Sequence, residues 1–290
     1  MTPFDVTGGV DMHVHSNPAL MQRAGDDLYH ARICRDGGLA GFLLKSHHEP
    51  TVSRAFMAQQ SVPGIRVFGG IVLNWTVGGL NPIAAEAQIA TGARQVWMPT
   101  IHARAHAEAL GLGTYGYQSA GLKSRVEPIT VLDGEGALKD SVKIIAELVR
   151  DADVVLGTAH LAPEEVHALA RHARDIGLRK LLVTHPTFRP PGLTFAQVVE
   201  LAGMGAWFEF CAGNMFPIPG TEDLDFDLRV VREIGVGRCV LSSDCGQHRK
   251  GPPAESIRIF GQCMLEKGVP ADEVRRMIVD NPRFLLGWEG

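Results

Sequence analysis

Short apolar or β-branched runs recur along the chain, separated by stretches whose apolar residues repeat every three or four positions. The runs at Val10 to Val14, Gly41 to Leu44, Val67 to Leu73, Val96 to Met98, Val154 to Leu156, Lys180 to Val183, Trp207 to Phe210 and Cys239 to Leu241 predict eight strands. Between them, Pro163 with Glu164 and Glu165 opens a helix that Val166, Leu169, Ala170, Ala173 and Ile176 continue and Gly177 closes. Thr194 and Gln197 match a capping box ahead of Val198, Val199 and Leu201, and Leu138, Val142, Ile145 and Val149 form another apolar stripe. Strand and helix alternate without a Pro/Ser-rich linker, so the expectation is one α/β domain over residues 1–290, a single (β/α)8 TIM barrel with its chemistry at the C-terminal strand ends. A doubly wound sheet is the rival arrangement. The stretch from Thr100 to Asp153 breaks the rhythm and predicts a flexible loop near Gly111 to Tyr117, then a small β excursion at Val126 to Leu132.

The composition, 290 residues with 45% hydrophobic and 21% charged, allows a large core and excludes disorder. A net charge of −4 without a basic run leaves no footprint for nucleic acid or an anionic membrane. Cys34, Cys211, Cys239, Cys245 and Cys263 form no C-x-x-C pair and suggest reduced thiols. With no basic leader before an apolar stretch and no window near ~18 apolar residues, a cytoplasmic location is expected.

The pentapeptide Asp11-Met12-His13-Val14-His15 carries the clearest chemistry. Strict alternation would turn Asp11, His13 and His15 to one side and Val10, Met12 and Val14 to the other. Three later runs end in a possible metal donor: His160, His185 and Asp244. In a barrel these ends converge, giving four imidazoles and a carboxylate suited to one or two divalent ions, zinc first and manganese second.

His-x-His after the first strand, His after the fifth and sixth and Asp after the eighth resemble the amidohydrolase superfamily of metal-dependent hydrolases. The ending Asp280-Asn281-Pro282-Arg283-Phe284-Leu285-Leu286-Gly287 resembles its C-terminal helix. The segments Leu44 to His48, Gly69 to Asn74 and Val96 to Thr100 are similar to an uncharacterised amidohydrolase-related family. The resemblance implies water activated by metal for attack on an amide, cyclic amide, lactone or ester of a small molecule, with Asp244 shuttling the proton. It also implies a bridging group from strand four, but Met98-Pro99-Thr100-Ile101-His102 supplies no Lys or Glu. Lys45, carboxylated, is the substitute candidate. An ordinary lysine paired with Asp11, Asp244 or substrate is the alternative.

His47, His48, His102 and Arg189 are candidate substrate contacts in strand-end or loop positions, with Tyr115, Tyr117 and His248 at the expected mouth. Glu209, an acid inside an apolar strand, is expected in a buried structural pair. His30, His106, His167 and His172 receive no chemical role. Two competing functions remain: a metal-dependent decarboxylase on the same barrel, and a non-catalytic ligand-binding barrel. A homo-oligomer is open on every one of these readings. No G-x-S-x-G elbow supports a serine nucleophile.

Overall fold

The computed structural model describes residues 3–119, 121–212 and 224–289. Its strands are β1 (Val10–Val14), β2 (Gly41–Leu44), β3 (Arg66–Phe68), β4 (Gly70–Val72), β5 (Gln95–Trp97), β6 (Val155–Gly157), β7 (Leu181–Thr184), β8 (Trp207–Cys211) and β9 (Cys239–Ser242). All pair in parallel, as two sheets in the orders β1-β2-β3 and β4-β5-β6-β7-β8-β9. The strand order follows the sequence without reversal, which removes the doubly wound alternative, since that fold turns back at a switch point. The fold is mixed α/β with parallel sheets. β3 and β4 divide the run expected at Val67 to Leu73, and only Gly69 separates them. At the far edges, Val14 and Cys245 form an isolated parallel bridge in which His15 N donates to Cys245 O at 2.8 Å.

Helices connect the strands as the periodicity predicts. The one at Pro163–Asp175 begins on its proline, that at Phe195–Gly203 carries the Thr194/Gln197 capping box, and that at Asp140–Asp151 buries Val142, Ile145 and Val149. The long interval after β5 departs from expectation: it contains a helix at Arg104–Leu110, and the β excursion reduces to isolated bridges, Ala103 with Ile129 and Leu132 with Leu138. Among the described residues, no helix is long and apolar enough to cross a membrane.

The strands bury both faces. One face, with Phe42, Leu44, Val96, Leu156, Val183, Phe208 and Leu241, packs against the helices. The other gathers Leu43, Val72, Trp97, Val155, Leu182, Trp207 and Val240 around Leu285 and Leu286 of the C-terminal helix. That second face is apolar low on each strand and turns polar toward the C-terminal ends, from Leu43 to Lys45 and from Trp207 through Glu209 to Cys211. Polar groups therefore collect at one end above an apolar floor.

β1 corrects the alternation. Its register shifts between Asp11 and Val14, so Asp11 pairs with Phe42 and Val14 with Leu44. Val10 and Met12 consequently join the cluster of Leu43 and Trp97, while Val14 joins the helix-side cluster. Asp11 does not share a face with the two histidines. Its Oδ1 instead accepts from His13 N and Ser243 N, both at 3.0 Å, stitching the irregular strand to the segment after β9.

Candidate metal centre

His13 and His15 at the end of β1 meet Asp244 just after β9. Both His13 Nε2 and His15 Nε2 approach Asp244 Oδ1, at 3.3 and 3.2 Å. His15 Nδ1 lies 2.8 Å from Lys45 O. A carbonyl only accepts, so Nδ1 carries the hydrogen and Nε2 presents its lone pair to the carboxylate. Two electron-rich atoms face each other there, a contact that a cation between them would relieve. Burial holds His15 well below the usual imidazole range, so a proton on the ring does not supply it. The separations match the edge of a tetrahedron with metal–ligand bonds near ~2.0 Å, an edge of about 3.3 Å. The donor set fits a divalent ion.

Burial would push the Asp244 carboxyl up, but Lys250, His13 and His15 outweigh it and hold it well below the ordinary carboxylate range. Lys250 Nζ binds Asp244 Oδ2 at 2.9 Å and Asp244 O at 2.8 Å, leaving Oδ1 turned to the imidazoles. His185 and His160 complete the group, with ring centroids 6.0 Å between His13 and His185 and 5.0 Å between His160 and His185. Burial keeps both rings neutral, and His185 Nδ1 is buried without a hydrogen bond among the described residues, an orphaned donor atom that an ion would satisfy. Lys45 is buried, with Nζ 3.1 Å from His13 Nε2 and 5.3 Å from the Trp97 ring; burial lowers its pKa. It forms no ion pair with Asp11 or Asp244 among the described residues.

Three non-glycine residues next to these strand ends, Ala159, His185 and Asp244, have φ of 52°, 32° and 48°. This left-handed region disfavours side chains, and such strain gathers where surrounding structure demands a particular presentation. Gly246, at φ 120°, sits so close to His15 that a Cβ would lie 1.8 Å from His15 O.

The remaining sequence candidates fall around this cluster. His47 stacks on His15 at 4.8 Å, yet both of its nitrogens are engaged, Nδ1 with Thr100 Oγ1 at 2.8 Å and Nε2 with Tyr115 OH at 3.1 Å. It forms a wall and has no nitrogen left for an ion. His48 is half-buried beside it, its ring nitrogens without hydrogen-bond partners among the described residues. His102 lines a separate cavity of about 570 Å³ with Trp75, Leu112, Lys123 and Arg125. Arg189 stands exposed on the loop after β7 and makes no hydrogen bond or ion pair among the described residues.

The groups not assigned to the site from sequence include Lys250 on Asp244, Glu209, Cys211 and His106. Glu209 is fully buried and, as expected of an acid in an apolar strand, sits in a buried pair, here with a site histidine; its carboxylate forms no hydrogen bond among the described residues. Its Oε2 faces His13 Nδ1 at 3.5 Å, with Cys211 Sγ 3.8 Å from the same nitrogen. A carboxylate behind an imidazole favours Nδ1–H and frees Nε2, the arrangement that orients metal-binding histidines. The alternation Trp207, Glu209, Cys211 carries this signal. His106, on the short helix after β5, reaches His160, which no local pattern indicates.

Solved structures share this architecture at low identity. An amidohydrolase from Pseudomonas aeruginosa matches with a TM-score of 0.63 at 11% identity, covering 97% of this chain and 95% of that one. The organophosphorus hydrolase from Deinococcus radiodurans matches at 0.59 and 13%, covering 97% and 92%. A putative 2-pyrone-4,6-dicarboxylic acid hydrolase from Pseudomonas putida matches at 0.56 and 17%, covering 98% of each. The likeness to amidohydrolases read from the sequence is thus borne out in the fold. No curated protein matches the chain. A family profile matches residues 8–209, from β1 into β8 and over more than two thirds of the chain, and on that extent the chain belongs to DUF6282, a family of unknown function.

Proposed function

We propose that this chain is an enzyme: a metal-dependent hydrolase that holds one or two divalent ions, zinc or manganese, and cleaves an amide, cyclic amide, lactone or ester bond in a small molecule. The observation that carries the reading is the meeting of His15 Nε2 and His13 Nε2 on Asp244 Oδ1, a buried contact that makes electrostatic sense around a cation. The architecture supports it in a closed eight-stranded form, with β3 and β4 counted as one strand and the Val14–Cys245 bridge joining the edges.

His13, His15 and Asp244 would hold one ion; His160, His185 and a carboxylated Lys45 would complete a second position. An ion so held would supply polarisation of the substrate carbonyl and a bound water with pKa toward ~7. Asp244 would accept the proton of the attacking water and return it to the leaving group, while Lys250 holds Oδ2 and keeps Oδ1 turned to the imidazoles. Glu209 and the Lys45 carbonyl fix the rings of His13 and His15. His47, tied to Thr100 and Tyr115, walls the site on the side of β2 and β5.

The test combines elemental analysis of protein purified without chelators with hydrolysis of a panel of lactones, cyclic amides and N-acyl amino acids. Stoichiometric zinc or manganese is expected, lost together with activity in the His13→Ala/His15→Ala variant, which still folds because neither residue belongs to the apolar clusters. Wild-type protein that neither contains nor takes up a divalent ion would end the proposal. Carbon dioxide release without incorporation of solvent oxygen would replace hydrolysis by decarboxylation.

A further inference from the structure

His160 touches the cluster with one side of its ring and His106 with the other. The two rings stack with centroids 4.8 Å apart and planes 10° from parallel, and His160 Nδ1 lies 2.7 Å from His106 Nδ1. Such a contact needs one hydrogen, so one ring donates and the other accepts. The far side of His106 decides which. His106 Nε2 lies 2.6 Å from Thr114 O, and a carbonyl cannot donate, so Nε2 carries the hydrogen. A neutral imidazole has only one, which leaves His106 Nδ1 a lone pair and obliges His160 Nδ1 to be the donor.

His106 is fully buried and no acidic group is in contact with it among the described residues, so nothing there compensates a charge on the ring. The ring is therefore neutral, as the chain of hydrogen bonds requires. The chain runs from His160 through His106 to a backbone carbonyl in the loop that also carries Tyr115, whose hydroxyl meets His47.

We propose that His106 is a positioning residue: anchored on the Thr114 carbonyl, it locks His160 in the Nδ1–H tautomer and so fixes the Nε2 lone pair as the atom offered to an ion. The two ring nitrogens of a histidine are distinct, so the lock has a detectable consequence. The loop at Gly111 to Gln118 becomes part of the ligand machinery without contributing a ligand, since displacing Thr114 O releases the whole chain.

The part of this proposal that concerns ion binding rests on His160 being a ligand; the tautomer does not. The experiment is long-range ¹H–¹⁵N correlation of the histidine rings in the full chain, stripped of metal with chelator at pH 7.5, followed by zinc titration against a chromophoric competitor. Wild-type His160 should show a pyrrole-type Nδ1 and a pyridine-type Nε2. His106→Phe should abolish that pattern and weaken zinc about 10- to 100-fold, the usual weight of a residue behind a ligand. His106→Asn, whose amide oxygen can accept from Nδ1–H, should restore the tautomer and part of the affinity. A pyrrole-type Nε2 on wild-type His160 overturns the lock, and that result needs no variant to fold. The lock present with unchanged zinc affinity in His106→Phe overturns the positioning role alone. Zinc binding absent from the wild type would instead retire the hydrolase reading, leaving the tautomer to stand or fall on its own spectrum.

Discussion

Gly246→Ala should injure the candidate site through the backbone alone. The added Cβ would lie 1.8 Å from His15 O and 2.6 Å from His15 C, so reaching even a tight 3.0 Å contact parts the two segments by 1.2 Å. That movement strains two backbone hydrogen bonds, His15 N to Cys245 O at 2.8 Å and Ala24 N to Gly246 O at 2.7 Å. Each is worth about 1 kcal/mol net, and an L-residue at φ 120° costs about 1–3 kcal/mol. The sum is about 3–5 kcal/mol. With an unfolding entropy of about 2.1 cal/mol/K per residue over 290 residues, Tm should fall by roughly 5–8 °C. Because His15 itself is displaced, zinc affinity should fall about tenfold or more. Gly92→Ala is the internal control: its φ is 110°, but nothing lies within 4 Å of the new Cβ, so only the conformational cost of about 1–3 kcal/mol applies and zinc affinity stays unchanged. Thermal unfolding by circular dichroism and competitive zinc titration measure both. If Gly246→Ala loses no more stability than Gly92→Ala and binds zinc as the wild type does, the close approach to His15 does not exist.

Asp244→Asn should lower kcat about 10²-fold or more in the hydrolysis assay, since an amide holds its place beside His13 and His15 but takes no proton; an unchanged kcat removes the acid–base role. Glu209→Gln should weaken zinc about 10-fold or more by releasing His13 Nδ1, and equal affinity in competition titration would leave Glu209 outside the site. Lys45→Ala should reduce the metal count by elemental analysis, with partial activity rescued by a short carboxylic acid and excess metal; full metal content retires the bridging carbamate. Metal-free protein should be less stable to urea at pH 5 than at pH 7.5. Unfolded imidazoles take up protons near ~6.5, whereas burial holds His15, His47, His160 and His185 well below that and His106, His30 and His48 at about 4, so the unfolded state binds more protons between those values. Asp11, pushed up to about 7 by burial, works in the opposite sense but is a single group. A higher urea midpoint at pH 5 would refute this balance.

The strand order and the gathering of His13, His15, His160, His185 and Asp244 were legible because they rest on local signals: apolar runs with a polar residue at the C-terminal end. The face occupied by Asp11 was not, because period-two reading assumes an unbroken pleat and the register shift after Asp11 inserts an irregularity that only the pairing with β2 reveals. Glu209 was visible as an anomaly, but one acid in an apolar strand looks the same whether it meets a structural partner or the back of an imidazole. His47 illustrates the converse. It shares the strand-end placement of the candidate donors, and only the approach of Thr100 and Tyr115 from other segments occupies both of its nitrogens. The part played by His106 depends on a loop carbonyl and on His160, 54 residues away, so no spacing rule could have found it.

The stitch from Asp11 to Ser243 N spans 232 residues and joins the first strand to the segment after the last. During synthesis at ~5–20 residues per second, roughly 10–50 s separate the emergence of these two partners from the ribosome. Throughout that interval His13 and His15 lack Asp244, and β1 has an uncovered edge that any passing strand could pair with. The cluster is therefore a post-synthetic assembly, completed only when β9 docks. On the proposed reading as an ion site, a nascent chain would offer only a loose His-x-His, and the ions present at docking, not during elongation, would determine which metal the folded chain carries.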